Sequence, residues 1–424
     1  MQLTSNMVYK YGTAILLTLI FLFILAVYKE FIFLRYEYMG FRLVGAPVNV
    51  YLSLVVFVFL IVVMLLLPLK PIVFATSSII KFMFLIPALV LFSKMDADIR
   101  ILISVVVFDL GFLFLSFYRT NVKTIKISTK QGIVILLILL LILLIPIIRT
   151  FGTSLDYNLL FMENIYESRM KARAVDNILS GYSVFWLCKV IIPVLLIYGL
   201  IRKNVALVAI NIVALLFIFM ISGAHKSLFF SLFVILFFYL FKSYYKKVFM
   251  FLAAVVLLMI TGLYLFFYSE HTFIADMLIR RTILDPPLMD IFYFDFFDNN
   301  HMYLSHSIFK DFVDNPYDIQ PSYVIGGAYL KNPANNAGSG IIGDGFMNYG
   351  SIGVLASLLI AVIILNYVTK AKMNPGFFGL IFIVLYGFSA TGILTNLMNG
   401  GIIILIFLIQ FMMKNYKKSS CCDV

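Results

Sequence analysis

A predicted helix in the middle of the chain carries side chains that could bind phosphate groups. Arg169 and Arg173 are four residues apart, so they share one face of a helix. Arginine holds phosphate oxygens through two parallel hydrogen bonds, which makes this pair suited to a diphosphate. Glu167 and Lys171 are also four apart, and a pair between them would make the same helix an ordinary solvated surface. Both interpretations stay open for this segment.

Residues 270–349 combine aromatic, acidic and histidine side chains. The run 292–298 (Phe-Tyr-Phe-Asp-Phe-Phe-Asp) fits a sugar site, in which aromatic faces stack on pyranose rings and carboxylates bind hydroxyls. His271, His301 and His306 lie in the same segment, and histidine is a ready general base for a sugar hydroxyl. The alternative is a folded lid, with aromatics that only pack and histidines that only hydrogen-bond. The histidine spacing does not match a zinc site, so no metal is predicted.

The elements that must position these residues are hydrophobic helices. The chain of 424 residues is 63% hydrophobic and 12% charged, about half the charged fraction of a soluble domain. We therefore predict an all-α, polytopic integral membrane protein with about 12 transmembrane helices and two long external loops. The predicted helices lie near residues 12–28, 48–68, 71–93, 101–118, 131–149, 182–201, 204–222, 227–242, 248–269, 350–369, 376–393 and 397–413.

The asymmetry of charge predicts the orientation of the chain. Connections on one side are rich in Lys and Arg, whereas the opposite side carries eighteen of the twenty Asp and Glu residues. Positively charged connections stay in the cytoplasm, so both termini are predicted to be cytoplasmic and both long loops external. The net charge of +12 is assigned to the membrane surface and not to nucleic-acid binding.

These spans divide the chain into five segments. The first external loop is predicted to hold an amphipathic helix that is capped by Ser154 or Asp156 and ends before Gly181. The segments are 1–149 (helices 1 to 5), 150–181 (the first external loop), 182–269 (helices 6 to 9), 270–349 (the large external loop) and 350–424 (helices 10 to 12 and a cytoplasmic tail).

Few charged residues fall inside the predicted spans: Lys81, Asp109 and Lys189. A lysine in such a place can extend to the membrane surface or face a cavity, and Asp109 can pair with one of the two. Secondary transporters usually carry several ionisable groups in their spans. The small number here argues against that class of protein.

Three stretches, together with length and topology, resemble the Wzy family, the polymerases of O-antigen and oligosaccharide repeat units. The turn SGAHKS at 222–227 is similar to a Thr-Gly-Ser-Arg-type turn of the family, with Lys226 where an Arg is usual. The pair Arg280-Arg281, followed shortly by proline, opens the large loop as in the family. The run from Asn315-Pro316 through GSGIIGDGFMNYGSIGV resembles the family's entry into the tenth span.

The resemblance implies a C-type glycosyltransferase that works without a cofactor or metal, with inversion at the anomeric carbon. Its donor and acceptor would be glycans linked to undecaprenyl diphosphate, at the outer face of a bacterial cytoplasmic (inner) membrane. A chain-length regulator and a flippase would be its partners. The resemblance implies diphosphate binding by Arg169, Arg173, Lys226, Arg280 and Arg281 and sugar binding by Tyr293, Asp295, Asn300 and Tyr303. The catalytic base would be His301 first, His306 next, or one of the aspartates Asp290, Asp295 and Asp298.

Three other functional classes stay open at this point. An O-antigen ligase would use the same donor chemistry with a lipid A-core acceptor. A flippase or other transporter of lipid-linked sugars would need a charged cavity through the spans, which the few charged residues there do not supply. A non-catalytic scaffold would leave the external cations without a role.

Overall fold

The computed structural model of the chain describes residues 2–118, 129–155, 157, 159, 165–222, 226–307, 309, 312–317, 319–371 and 373–411. It describes the backbone alone for residues 2–5, 129, 165, 166, 169, 173, 226–230, 410 and 411. Within these ranges the secondary structure is helical and contains no strand. This confirms the predicted all-α fold class for the described part of the chain.

The helices are joined by connections that range from a few residues to the 23 residues between Phe297 and Pro321. Residues 273–297, named α11, contain a π-helical stretch, Asp276–Leu284, followed by the α-helix Asp285–Phe297. In chain order the helices are α1 (Asn6–Met39), α2 (Pro47–Leu66), α3 (Pro71–Met95), α4 (Ile99–Phe117), α5 (Lys130–Phe151), α6 (Ile165–Val175), α7 (Ile178–Arg202), α8 (Val205–Ile221), α9 (Lys226–Tyr239), α10 (Tyr244–Ser269), α11 (273–297), α12 (Pro321–Leu330), α13 (Ile341–Lys370), α14 (Pro375–Ala390), α15 (Ile393–Met398) and α16 (Ile402–Phe411).

Eight helices of the described ranges are long and apolar enough to cross a membrane: α1 to α5, α7, α10 and α13. This supports a polytopic membrane protein. Four of the predicted spans correspond to the shorter helices α8, α9, α14 and α16. The total of about 12 spans and the orientation of the chain therefore stay predictions.

The first external loop differs from its prediction. The helix α6 ends at Val175, and a new helix, α7, begins at Ile178. Asn177 caps α7 because its side chain accepts hydrogen bonds from the backbone N–H groups of Leu179 and Ser180. Gly181 was expected just after a helix end, and this was wrong: it lies inside α7. The cap at Asn177, which starts a new helix, prevailed over Gly181 as a signal for a helix end.

The chain forms two compact units. The first contains residues 1–119, 243–366 and 385–393, and the second contains residues 120–242, 367–384 and 394–424. In the second unit, Trp186 Nε1 donates to the carbonyl of Met398 at 2.6 Å.

Helix α3 is the core of the first unit. In its most apolar stretch 94% of the residues are buried, compared with 28% in α2 and 33% in α10. Pro71 stands at its first position, where the missing N–H costs no hydrogen bond. The next helix, α4, is capped by Asp98, whose Oδ1 accepts from the backbone N–H of Arg100 at 2.7 Å.

A buried ion pair joins α3 to α4. Lys81 Nζ lies 2.6 Å from Asp109 Oδ2, and both side chains are 0% exposed. The Ser77 hydroxyl donates to Asp109 Oδ1 at 3.0 Å and accepts from Lys81 at 2.9 Å. The predicted pairing of Asp109 with a lysine in a neighbouring span is thus confirmed for Lys81. Two charges in such surroundings persist only when paired and hydrogen-bonded.

We expect Lys81→Met to destabilise the first unit strongly. The change leaves Asp109 as an uncompensated buried charge, which costs about 3–5 kcal/mol. The double variant Lys81→Met/Asp109→Asn removes both charges and should recover most of the wild-type stability. Thermal unfolding of the purified protein in detergent measures the difference. The control is Lys189→Met, which removes a lysine from α7 in the other unit. Equal melting of Lys81→Met and wild type would contradict a stabilising pair.

Candidate functional site

Arg280 lies in the π-helical stretch of α11 between two carboxylates. Its Nε and Nη2 donate to Asp276, and its Nη1 donates to Asp285 at 2.9 Å. The guanidinium carbon lies 4.7 Å from the centroid of the Tyr36 ring, near the end of α1. Arg280 is 5% exposed. Its charge is therefore neutralised inside the unit, where it ties α11 to α1.

The two carboxylates around Arg280 respond differently to burial. At Asp276, burial favours the neutral acid, but hydrogen bonds from Arg280 and Tyr36 outweigh it and lower the pKa. At Asp285, burial dominates over the nearby Arg280 charge, and the pKa is raised. Arg281 differs from its neighbour because it is 44% exposed, with Nε 3.2 Å from Asp276. Of the neighbouring pair Arg280 and Arg281, both predicted diphosphate ligands, Arg281 is the one open to solvent.

A second arginine, Arg100 at the start of α4, was overlooked by the sequence prediction. Its Nε and Nη2 donate to Asp98 Oδ2 at 2.8 and 2.6 Å, and its Nη1 donates to Asp298 at 2.9 Å. The guanidinium carbon lies 5.0 Å from the ring centroid of Phe346 and 5.6 Å from that of Phe294. Arg100 thereby connects α4, the end of α11 and the first turns of α13.

The sequence did contain a signal for Arg100. By the predicted orientation, the short connection before α4 lies on the same side as the two long loops. Asp98 and Arg100 both lie at this connection. The predicted external cations, however, came only from the long loops and the 222–227 turn. Burial favours the neutral acid at Asp98, but hydrogen bonds from Arg100 prevail and lower the pKa.

Helix α13 is kinked where the large loop meets the predicted tenth span. Gly350 has φ 58° and ψ −146°, a conformation that favours glycine. The kink leaves backbone groups free to pair with the loop: Met302 N–H donates to the carbonyl of Met347 at 2.9 Å. Leu304 N–H donates to Asn348 Oδ1, also at 2.9 Å. These bonds hold the segment after α11 against α13.

This segment places His301 and Arg100 around one aromatic ring, that of Phe346. The His301 ring meets the Phe346 ring nearly at a right angle, with centroids 5.8 Å apart, and Arg100 lies over the same Phe346 ring. A Cβ on Gly350 would come 3.0 Å from His301 Nε2, so the Gly350 backbone lies close to this nitrogen and a larger residue would crowd it. Nδ1 is buried with no hydrogen-bond partner among the described residues. We call Asp98, Arg100, Asp298, His301 and Phe346 the Arg100 cluster.

The other predicted catalytic histidine, His306, follows in the turn 303–307. It is half-buried, and burial lowers its pKa. Among the described residues, its Nδ1 also has no hydrogen-bond partner. The described chain contains no group of three or more His, Cys, Asp or Glu side chains that could hold a metal ion, and metal independence stays a prediction.

Asp290 in α11 is a buried carboxylate at the start of α13. It is 8% exposed, and its Oδ1 accepts from the backbone N–H of Gly343 at 3.0 Å. Burial raises the pKa of Asp290 to about 7, although backbone hydrogen bonds from Gly340 and Gly343 oppose the shift. The carboxylate lines a small cleft with Phe84 and Ile101. Asp290 thus caps the start of α13. Within α11 it lies one helical turn before Phe294, whose ring contacts Arg100.

The predicted sugar-binding residues divide into a buried and an exposed set. Tyr293 is 3% exposed and packs inside the unit, as a folded lid requires. Asp295 and Asn300 are exposed, and Tyr303 is 52% exposed. The Tyr329 hydroxyl donates to Asp295 Oδ2 at 2.5 Å. The buried residues therefore fit a folded lid, whereas the exposed residues stay candidates for a sugar site.

Three of the predicted diphosphate ligands belong to the second unit. Arg169 and Arg173 lie in α6, and α9 begins at Lys226. Their side chains are outside the described residues. On α6, Lys171 Nζ lies 2.7 Å from Glu167, and both side chains are exposed. This is the solvated pairing expected as the alternative, and such exposed pairs contribute little stability.

The structure also separates residues that the prediction grouped. Arg281 precedes, and His301 follows, the α-helix Asp285–Phe297. Its 13 residues span about 18 Å at 1.5 Å per residue. Arg281 and His301 thus flank opposite ends of one helix. Asp298 and His301, by contrast, come together at the Arg100 cluster.

We expect Asp290 to contribute stability that is lost as pH rises from about 4 to about 7. The pKa of Asp290 is raised from 3.8 to about 7, so in this window the folded form keeps a proton that the unfolded chain has lost. Unfolding then releases a proton, and its free energy decreases with increasing pH. Asp290→Asn should flatten this part of the pH dependence, measured by thermal unfolding in detergent.

Asp314→Asn is the matched control for Asp290→Asn, because Asp314 is an exposed aspartate in the same segment. It should keep the wild-type slope. Identical slopes for Asp290→Asn and wild type would show that the buried carboxyl does not control this pH dependence.

No family model, curated protein or solved structure matches this chain.

Proposed function

We propose that this protein is a membrane glycosyltransferase that polymerises oligosaccharide repeat units linked to undecaprenyl diphosphate. The observation that carries the proposal is the Arg100 cluster. It joins a half-buried histidine, an arginine and an arginine-bound carboxylate, and it belongs to a unit of membrane-length helices. A lipid-linked sugar needs a polar reaction centre close to the hydrocarbon that holds its prenyl chain.

His301 is the proposed general base. It removes the proton from an acceptor hydroxyl that binds at its ring nitrogen Nε2. The acceptor oxygen attacks the anomeric carbon of the donor, the bond from this carbon to the diphosphate oxygen breaks, and the configuration inverts. Asp298 is a weaker candidate for the base because Arg100 already engages its carboxylate.

Arg100 is the proposed cation for the leaving diphosphate, since it shares the Phe346 ring with His301. Charge that develops on the diphosphate oxygens is stabilised by a positioned guanidinium. Because Arg281 and His301 flank opposite ends of the α-helix Asp285–Phe297, we propose a different role for Arg281: it would hold the diphosphate of the second lipid-linked substrate, the acceptor, whose glycan reaches back to His301. Arg169, Arg173 and Lys226 are further proposed diphosphate ligands, in the second unit.

The proposed reaction takes place at the outer face of the bacterial cytoplasmic membrane, with both termini in the cytoplasm. A flippase would supply the lipid-linked repeat units, and a chain-length regulator would act with the polymerase on the product. The alternatives are a ligase with a lipid A-core acceptor and a transporter of lipid-linked sugars. The closed Lys81–Asp109 pair, 0% exposed, suits a static element of the core better than an ion pathway.

We expect His301→Ala, Arg281→Ala and Arg169→Ala to abolish the ladder of surface glycan in a deletion strain, leaving single capped repeat units. His301→Ala removes the base, and each arginine variant removes a cation that binds diphosphate. Gel electrophoresis of the surface glycan measures the ladder. Loss of even the single unit on the core would indicate ligation or export instead.

Each variant has a matched control. His271→Ala removes an exposed histidine of the same segment, Arg35→Ala an exposed arginine, and Lys171→Ala the exposed lysine of α6. All three should keep normal ladders, and comparable membrane levels should be checked by immunoblot. Normal ladders in His301→Ala and in both arginine variants would contradict the proposed site.

We expect Gly350→Ala to lower polymerase activity by about 100-fold, the effect of displacing a reacting group by about 1 Å. The new Cβ would crowd His301 Nε2, and the left-handed backbone at Gly350 disfavours alanine. Gly111→Ala is the control, because a Cβ there meets only Val362 Cγ2 at 3.8 Å, an ordinary contact. The measurement is chain extension of lipid-linked repeat units by purified protein. Full activity of Gly350→Ala would remove His301 Nε2 from the reaction.

A further inference from the structure

Close in sequence to Asp298 of the Arg100 cluster, a group of neighbouring aromatic side chains includes a tyrosine that is hydrogen-bonded to an exposed carboxylate. The Tyr329 hydroxyl donates to Asp295 Oδ2 at 2.5 Å. The Phe296 ring lies 6.5 Å from Tyr329 and 5.9 Å from Tyr317, measured between centroids. We call Asp295, Phe296, Tyr317 and Tyr329 the tyrosine recess. Its aromatic rings are half-buried and Asp295 is exposed, so the group presents apolar faces and a carboxylate together.

The recess is held in place from behind. Tyr329 stacks on the buried Phe292 ring, with centroids 4.5 Å apart and planes 14° apart. Phe292 in turn packs against Gly40, where a Cβ would come 2.6 Å from the ring. Gly40 has φ +93°, a conformation that glycine adopts without strain. One face of Tyr329 is thus fixed by packing on residues of α11 and of the end of α1, and the ring does not need to be ordered when a ligand binds.

The polar groups of the tyrosine recess are the Tyr329 hydroxyl and the Asp295 carboxylate, which are hydrogen-bonded to each other. Burial raises the pKa of Tyr329, and the hydrogen bond to Asp295 and the charge of Asp295 add to this effect, while Arg42 opposes it. The tyrosine hydroxyl therefore stays protonated and donates to the carboxylate. The remaining acceptor capacity of Asp295 faces solvent, where it suits the hydroxyl groups of a ligand.

The recess adjoins the proposed reaction centre. Asp295 and Asp298 are three residues apart at the end of α11, which places their Cβ atoms about 5–6 Å apart on neighbouring faces of the helix. Asp298 belongs to the Arg100 cluster through its hydrogen bond to Arg100. A group bound in the recess would therefore lie beside the bond that is made.

We infer that the tyrosine recess is a saccharide-binding subsite, in which a pyranose ring stacks on the aromatic side chains and donates its hydroxyls to Asp295. Its placement next to the reacting bond rests on the proposed function. In that placement it holds the sugar that neighbours the reacting one. Binding energy from this non-reacting sugar positions the acceptor hydroxyl at His301.

A purely structural role would make the recess a packing contact between α11 and α12. Two variants separate the roles. Tyr329→Phe keeps the stack on Phe292 and loses only the hydroxyl, while Asp295→Asn keeps the shape and removes the charge. Neither change leaves a cavity, so a packing role predicts wild-type sugar binding in both. A binding role predicts weaker binding in both.

The test measures sugar binding without requiring catalysis. The probe is the set of oligosaccharides released by mild acid from the lipid-linked precursors of the source cells, titrated against the full chain in lipid nanodiscs. Saturation-transfer NMR reports the affinity. We expect Asp295→Asn to weaken binding by about tenfold or more, as the loss of hydrogen bonds to a charged group does. Tyr329→Ala should abolish binding, and Tyr38→Ala, which removes an exposed tyrosine outside the recess, should bind as wild type.

Thermal unfolding of each variant distinguishes lost binding from lost folding. The inference is overturned if wild type shows no binding, or if Tyr329→Ala and Asp295→Asn bind as wild type while remaining folded. Failure of the proposed function gives a different result. His301→Ala and Arg281→Ala would then show normal glycan ladders, whereas sugar binding would still depend on Tyr329 and Asp295.

Discussion

The buried pair between Lys81 and Asp109 is the interaction on which the first unit depends. Helix α3 is almost wholly enclosed, and a lysine in such a helix is tolerated only when a carboxylate and a hydroxyl complete its contacts. The pair fixes the register of α4 against α3. Nine residues before Asp109 along the same helix stands Arg100, about 13 Å away at 1.5 Å per residue. The position of the Arg100 cluster thus follows from a contact deep among the spans.

Pairing of arginines with carboxylates organises the polar part of the unit in the same manner. Arg280 is enclosed by Asp276 and Asp285, and it holds the π-helical turn against α1. Arg100 has the same kind of carboxylate partners but is 42% exposed, so a ligand can approach it. Burial is what separates an arginine that stabilises the fold from one that is open to an anion. Arg280 and Arg281 are the same residue type at adjacent positions, so the sequence does not show that the first is buried and the second exposed.

The aromatic run of α11 shows how one sequence pattern can serve two purposes. Phe294 stacks on Phe346 at 3.8 Å between centroids and supports Arg100 from below. Phe292 supports Tyr329 from behind. Asp295 stays exposed between these packed rings. Alternation of aromatic and acidic residues predicted a sugar site or a folded lid, and the helix realises both because successive residues point in different directions around its axis.

The helical, membrane-spanning character of the chain was predictable from the sequence, because blocks of apolar residues form helices in lipid whatever their neighbours are. The possible pairing of Asp109 with a lysine was predictable too. The start of α13 was not: the tenth span was predicted from residue 350, whereas the helix begins at Ile341 and only kinks at Gly350. Which residues meet depends on the packing of the helices. His301 reaches Arg100 through the Phe346 ring, and Tyr329 reaches Asp295 from 34 residues away. Such contacts depend on how helices pack, and the local spacing along one chain carries no information about the direction in which a distant helix returns.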